Sequence, residues 1–453
     1  MLESVTRLTD ELHEKYRDRL AVNPDLKRSL VSFQASKKAV GYRWFKYKEG
    51  YSPDLVKYVL ERTGVTGGRV LDPFAGSGTT LFAANEMGLA STGIELLPLG
   101  CEIIGARHMA VGEHRDAVVA GLEQALADRP WEYGGEGPPF PHLGITRGAF
   151  SVETEGLLAR YLGYASQQPA PLCRMLRFAA MCVLEAISYT RKDGQYLRWD
   201  QRADRKLKSN FDKGVVHPFD VAVAEKLGQI VSDIRQAERP PVDDLQVVDG
   251  SCLEQLARLP ANEYAALVTS PPYCNRYDYT RTYALELAFL GVGEDALKRL
   301  RQTMLTCTVE NREKSDLLAS LAPDIASAAV RAFDSQELLK AILIYLEECK
   351  SDGTLNNSGI PRMVKNYFWE TTVTLALARP LLRSGSPVII VNDNVRYQGV
   401  DVPADLITCD LANALGYSVE VVWVLPTGKG NSSQQMGRTG RSELRKCVYV
   451  FRR

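Results

Sequence analysis

The sequence predicts a doubly wound α/β fold, with a mostly parallel sheet, an antiparallel hairpin at one sheet edge and helical insertions. Three observations carry this prediction. A strand, a glycine loop, a helix and a second strand follow one another from Arg69 to Glu95. A further apolar run, Tyr264-Ala265-Ala266-Leu267-Val268, leads directly into Thr269-Ser270-Pro271-Pro272-Tyr273. Two strand patterns, 419–425 and 447–451, lie close enough in sequence to pair as a hairpin across a polar loop.

Taken in order, Arg69-Val70-Leu71 opens the first strand, and the loop is Asp72-Pro73-Phe74-Ala75-Gly76-Ser77-Gly78-Thr79-Thr80. A helix over 80–88 and a strand over 91–94, closing at Glu95, complete one β-α-β unit of a parallel sheet. Residues 102–239 interrupt the pattern. They read as helices, notably 152–165 and 172–188, broken by a Gly- and Pro-rich stretch at 130–141 and a charged segment at 189–214. Strand signals resume at 245–248, followed by Asp249-Gly250-Ser251 and the strand into the proline pair. Later elements are a helix over 371–382, a strand over 387–391 and a helix over 404–415. The core is therefore assigned to 1–101 and 240–453, with a helical insertion at 102–239 and a smaller excursion at 294–350.

Composition narrows the function. The chain has 453 residues, and its 55 basic and 55 acidic side chains cancel, so any nucleic-acid surface must be local. There is no apolar leader and no run of about 18 apolar residues, which predicts a cytoplasmic protein without membrane association. Nine cysteines without a C-x-x-C pair and five scattered histidines predict neither a disulfide frame nor a metal site.

The glycine loop follows a strand and opens a helix, so free N–H groups and a close backbone approach are available to a ligand. It is neither a G-x-G-x-x-G dinucleotide loop nor a G-K-[ST] phosphate loop. Glu95, at the end of the next strand, would lie beside the loop and could accept both hydroxyl protons of a ribose. A nucleoside-like cofactor with little phosphate fits, and S-adenosyl-L-methionine is such a ligand. In the second motif, the two prolines fix the backbone as it leaves the sheet. A hydroxyl (Ser270) and a rigid carbonyl (Pro271) then form a pair of acceptors beside the Tyr273 ring, suited to gripping an NH₂ group.

These two motifs together resemble the amino-methyltransferases of DNA, which modify N4 of cytosine or N6 of adenine in a flipped-out base. The resemblance extends to Phe45-Lys46-Tyr47-Lys48-Glu49-Gly50-Tyr51-Ser52-Pro53, similar to the family's segment over the cofactor, and to Val248-Asp249-Gly250-Ser251, similar to its acidic turn. It also takes in 365–391 and 445–452, but neither helical insertion. It implies S-adenosyl-L-methionine bound by Tyr51, Ser52, Asp72, Pro73, Phe74, Gly76, Gly78, Thr79, Thr80, Glu95, Asp249 and Ser251. It implies a catalytic group of Ser270, Pro271, Pro272 and Tyr273, double-stranded DNA as substrate, a cognate restriction nuclease as partner, and no metal. A serine before the prolines is commoner in the family's N4-cytosine enzymes, so N4 of cytosine is the expected target. N6 of adenine and an RNA amine are the alternatives. Cys274 is not expected to act as a C5-type nucleophile, since it follows Tyr273 and Glu310-Asn311 is followed by Arg312.

Basic and aromatic residues interleave at 190–213, where Arg191, Lys192, Arg198, Trp199 and Arg202 are candidate DNA contacts. Lys429, Arg438 and Arg441, between the last two strands, are a second set, and Asn275, Arg276, Tyr277 and Asp278 are expected to line the base pocket.

Overall fold

No polar residue interrupts Val388-Ile389-Ile390-Val391, and all four are buried, as a strand covered on both faces must be. Around it stands an eight-stranded sheet. The computed structural model describes residues 2–193, 196–206, 210–426 and 444–453. In chain order its strands are β1 (Leu20–Val22), β2 (Arg69–Asp72), β3 (Ala90–Glu95), β4 (Thr190–Asp193), β5 (Tyr196–Trp199) and β6 (Leu245–Asp249). There follow β7 (Tyr264–Thr269), β8 (Pro387–Asp393), β9 (Val395–Tyr397), β10 (Val400–Val402), β11 (Ser418–Val424) and β12 (Lys446–Arg452). The large sheet runs β6-β3-β2-β7-β8-β12-β11-β1. Every neighbouring pair is parallel except those made by β12, which is antiparallel to both β8 and β11.

The expected α/β class, the parallel core and the late antiparallel pair are all present. One detail differs: β1 lies parallel against the outer side of β11, so the hairpin is covered. The helix expected at 371 begins at Ile360, because Met363, Val364, Tyr367 and Phe368 extend its buried face toward the N-terminal end. The charged segment after 189 forms a β4–β5 hairpin in which Thr190 and Lys192 are buried while Arg191 and Asp193 are exposed. A third hairpin, β9–β10, turns through Gln398 and Gly399, both at positive φ (46° and 82°), the backbone demanded by a tight two-residue turn.

Helices Pro98–Val111, Arg115–Asp128, Val152–Ser166, Ala170–Ile187 and Phe219–Gln236 enclose an apolar core with Trp131, Tyr161 and Phe178. Phe45, Tyr47 and Tyr283 belong to the same core, which joins these helices to the floor of the site. Helices Pro323–Asp334 and Glu337–Ser351 pack on Ile360–Ala378. Among the described residues no helix is long and apolar enough to cross a membrane.

Candidate active site

Two clefts meet at the carboxyl edge of the sheet. The first is built by the glycine loop. β2 ends at Asp72, Gly76 turns at φ 55°, and Gly78, at φ 77°, is the N-cap of helix Thr79–Glu86. Glu95 holds the loop closed: its carboxylate accepts from the Gly76 N–H at 2.6 Å and from the Leu97 N–H at 2.7 Å. A Cβ on Gly100 would lie 2.5 Å from the Gly76 carbonyl oxygen and 2.6 Å from Glu95 Cγ, so this approach requires glycine there.

Burial pushes the Glu95 carboxyl up to about 7, although the Leu97 and Gly76 N–H groups favour its ionised form. The folded chain therefore binds this proton more tightly than the unfolded chain. The stabilisation is complete below the ordinary value of 4.5 and is lost as pH rises through 7, a loss on the order of 3 kcal/mol. Denaturant unfolding of wild type and Glu95→Gln between pH 4 and 8 checks this. The stability of wild type relative to the variant should fall by about that amount as pH rises.

Tyr51, Asp72, Pro73, Phe74, Gly76, Thr79, Glu95 and Ser251 line this cleft, with Tyr47, Gly250 and Tyr279. The other expected cofactor contacts do not line it. Ser52 is fully buried and caps helix Pro53–Arg62 through the Leu55 N–H at 3.3 Å. Thr80 lies behind the loop against Tyr51 and the Val268 carbonyl. Gly78 shapes the turn, since a Cβ there would meet Ile104 at 2.7 Å. Asp249, opposite Glu95 in the β3–β6 register, is exposed beside the cleft and does not line it.

The second cleft is built by the proline pair. Thr269, the last residue of β7, donates to Asp72 Oδ1 at 2.6 Å and ties the two motifs together. Ser270 lines both clefts. Pro272 faces the first, and Pro271 and Tyr273 face the second, with Asn275, Tyr277, Tyr279 and Lys446. Arg276 and Asp278, expected in the same pocket, are not among its lining residues. Asp278 is buried and pairs with Arg281 and Arg301. The Ser270 hydroxyl donates to the Tyr273 hydroxyl at 3.1 Å, which leaves its lone pairs to accept. Cys274 is buried, and burial raises its thiol pKa far above the ordinary value, so it is no nucleophile.

Sequence reasoning passed over Glu49 as an individual group. It lines both clefts and accepts from the hydroxyls of Tyr277 and Tyr283, while burial raises its pKa. Its only sequence signal was its place in the segment expected over the cofactor. Lys446 and Asp393 were also missed as site residues. Lys446 is the first residue of β12, opposite Asp393.

The candidate DNA surface divides. Arg191 is exposed at the β4–β5 hairpin. Arg198 lies 4.0 Å over the Phe211 ring, and Arg205 lies 4.1 Å over Trp199, giving paired guanidinium and aromatic planes. Lys192 is a correction: its side chain is 3% exposed and its ammonium pairs with Glu286 at 2.5 Å, so it faces the core and not a phosphate. Arg202 spends its fork on Asp200, with both contacts at 2.7 Å. Lys429, Arg438 and Arg441 lie outside the described residues.

A sheet of this order, with a glycine loop and acidic strand end on one side of Ser-Pro-Pro-Tyr and a second cleft on the other, defines a methyltransferase of exocyclic amines. The chain belongs to the DNA amino-methyltransferase family, in its type II branch. A DNA methylase family model matches residues 13–105. The chain is 45% identical to the type II methyltransferase M.AvaI of Nostoc sp. over an alignment of 461 residues, covering 100% of this chain and 94% of that protein. It is 36% identical to the type II methyltransferase M.BsoBI of Geobacillus stearothermophilus, covering 97% of this chain and 91% of that protein. A shorter match, 47% identical over 57 residues, is to the type II methyltransferase M.MjaII of Methanocaldococcus jannaschii, covering 13% of this chain and 11% of that protein. No solved structure matches. Methyltransferases of this kind act on DNA and in general use S-adenosylmethionine.

Proposed function

We propose that the chain transfers a methyl group from S-adenosyl-L-methionine to the N4 amine of a cytosine flipped out of double-stranded DNA. The observation that carries this reading is the position of Ser270, which borders both the glycine-loop cleft and the cleft lined by Pro271 and Tyr273. The first cleft fits the cofactor's chemistry. Glu95 keeps spare lone pairs beside the loop for ribose hydroxyls, and the Gly76 turn brings the backbone close. When bound, the cofactor supplies an electrophilic methyl group on a sulfonium.

The chain's residues do the rest. An exocyclic amine is a weak nucleophile because its lone pair is delocalised into the ring. Ser270 Oγ and the Pro271 carbonyl each accept one N–H, which favours a pyramidal nitrogen and turns its lone pair toward the first cleft. The proline pair holds that carbonyl with little backbone freedom, so the geometry is set before the base arrives. Tyr273 offers a ring face in the base cleft. The N4 choice rests on serine at position 270, the residue commoner before the prolines in the family's N4 enzymes.

The test is direct. Duplex DNA is methylated with labelled cofactor, digested to nucleosides and resolved by mass spectrometry. N4-methyldeoxycytidine is expected, and N6-methyldeoxyadenosine as the product would overturn the reading. We assign DNA contacts to the β4–β5 hairpin. Arg191→Ala and Arg198→Ala should each weaken DNA binding and lower the salt slope by about 1, with kcat unchanged, as measured by anisotropy across salt. The type II relatives support a role in a restriction–modification pair, with a cognate nuclease as partner and action in the cytoplasm.

A further inference from the structure

Lys446 opens β12 directly opposite Asp393, the last residue of β8. Its ammonium lies 3.0 Å from Asp393 Oδ1, with the two side chains 13% and 10% exposed. It also lies 5.5 Å from the centroid of the Tyr273 ring, on the side of the Tyr273 hydroxyl. That same hydroxyl accepts from Ser270 at 3.1 Å. An ammonium has three donors and no acceptor. Asp393 and Tyr273 stand beside it, and the side chain lines the base cleft, so it can donate to an occupant of that cleft.

We infer that Lys446 is a base-contacting residue that donates a hydrogen bond to the ring acceptor beside the target amine, N3 in cytosine. The inference rests on the reading that Ser270 grips that amine. The Tyr273 side chain lies between the acceptor Ser270 and the donor Lys446. On the base, a single ring carbon separates the amine, a donor, from N3, an acceptor. The two edges are complementary in order. A base drawn out of the duplex leaves its paired partner, and an acceptor buried without a donor is strongly disfavoured. Asp393 keeps the cation local and weakens it as a donor, so the contact draws less density from the amine that must attack. Serine alone would accept any NH₂, and the lysine adds the demand for a neighbouring acceptor.

The experiment compares a duplex containing the target cytosine with one containing 3-deaza-2′-deoxycytidine, in which C–H replaces N3. Wild type should prefer cytosine by about 10- to 100-fold in kcat/KM, the range for a hydrogen bond to a charged group. Lys446→Met should prefer it by less than about threefold. A variant that kept the full preference would overturn the inference. Because Lys446→Met removes the cation facing the buried Asp393, the double variant Lys446→Met/Asp393→Asn, which removes both charges, is measured beside it with the same expectation. Should either turn over too slowly, anisotropy binding of the two duplexes gives the same ratio without catalysis. If wild type made no N4-methylcytosine at all, the underlying reading would fall. If it did, and the variants still discriminated, only the role of Lys446 would.

Discussion

Ser270→Ala should lower kcat for methyl transfer by about 10²- to 10³-fold while cofactor affinity stays within about twofold of wild type. The size follows from what the hydroxyl does. It is one of two acceptors for the amine protons, and it acts where charge develops on nitrogen, so its loss falls on the transition state and not on ground-state binding. Fold and cofactor cleft should survive. Ser270 is only partly buried, its hydroxyl bonds that of Tyr273, and the loop closure at Glu95 does not depend on it. Single-turnover kinetics with saturating DNA, alongside calorimetric titration of the cofactor, separate the two quantities. A variant with wild-type single-turnover rate would remove Ser270 from the mechanism.

Glu286→Ala should destabilise the fold by about 3–5 kcal/mol, the cost of stranding one member of a buried pair. Glu286 is 1% exposed and Lys192 3% exposed. The ammonium lies between the rings of Phe45 and Tyr283, 4.9 and 4.7 Å from their centroids, and these rings cannot replace the carboxylate. Lys192 also anchors its neighbourhood through its backbone, since its carbonyl accepts from Lys48 Nζ at 2.5 Å. The pair therefore fastens the β4–β5 hairpin to helix Ala284–Phe289, and the Lys48 bond joins it to the segment that carries Glu49 and Tyr51. Urea unfolding should show the loss, and DNA affinity should fall with it. The double variant Lys192→Met/Glu286→Leu should recover most of the stability, because removing both charges leaves none unpaired. If the single variant lost less than about 1 kcal/mol, the pair would not be structural.

What could be read in the sequence was local. Gly76, Gly78, Pro271 and Pro272 announce backbone geometry that few other residues allow, and the apolar runs before them have a clear strand pattern. Helices Val152–Ser166 and Ala170–Ile187 were legible too, through their 3.6-residue pattern. The misses are residues whose role is set by a distant partner. Leu20-Ala21-Val22 is too short to show a period and becomes a strand because β11 offers an open edge. Lys192 looked like a surface charge, and only Glu286 makes it a core residue. Lys446 is one basic residue among several near the last strand, and only Asp393, across the sheet, sets its place. Ser52 is a local case: it caps the helix that Pro53 opens.

The position of β12 has a consequence for how the molecule is made. This strand follows every other strand of the sheet in the chain, yet it lies inside the sheet, bridging β8 and β11. Until residues 446–452 have emerged from the ribosome, the growing polypeptide exposes the bare flank of β8, a template for pairing with foreign chains. The protein therefore completes its sheet after translation of that segment and not progressively. Premature stop codons upstream of Lys446 should yield aggregates instead of a trimmed enzyme.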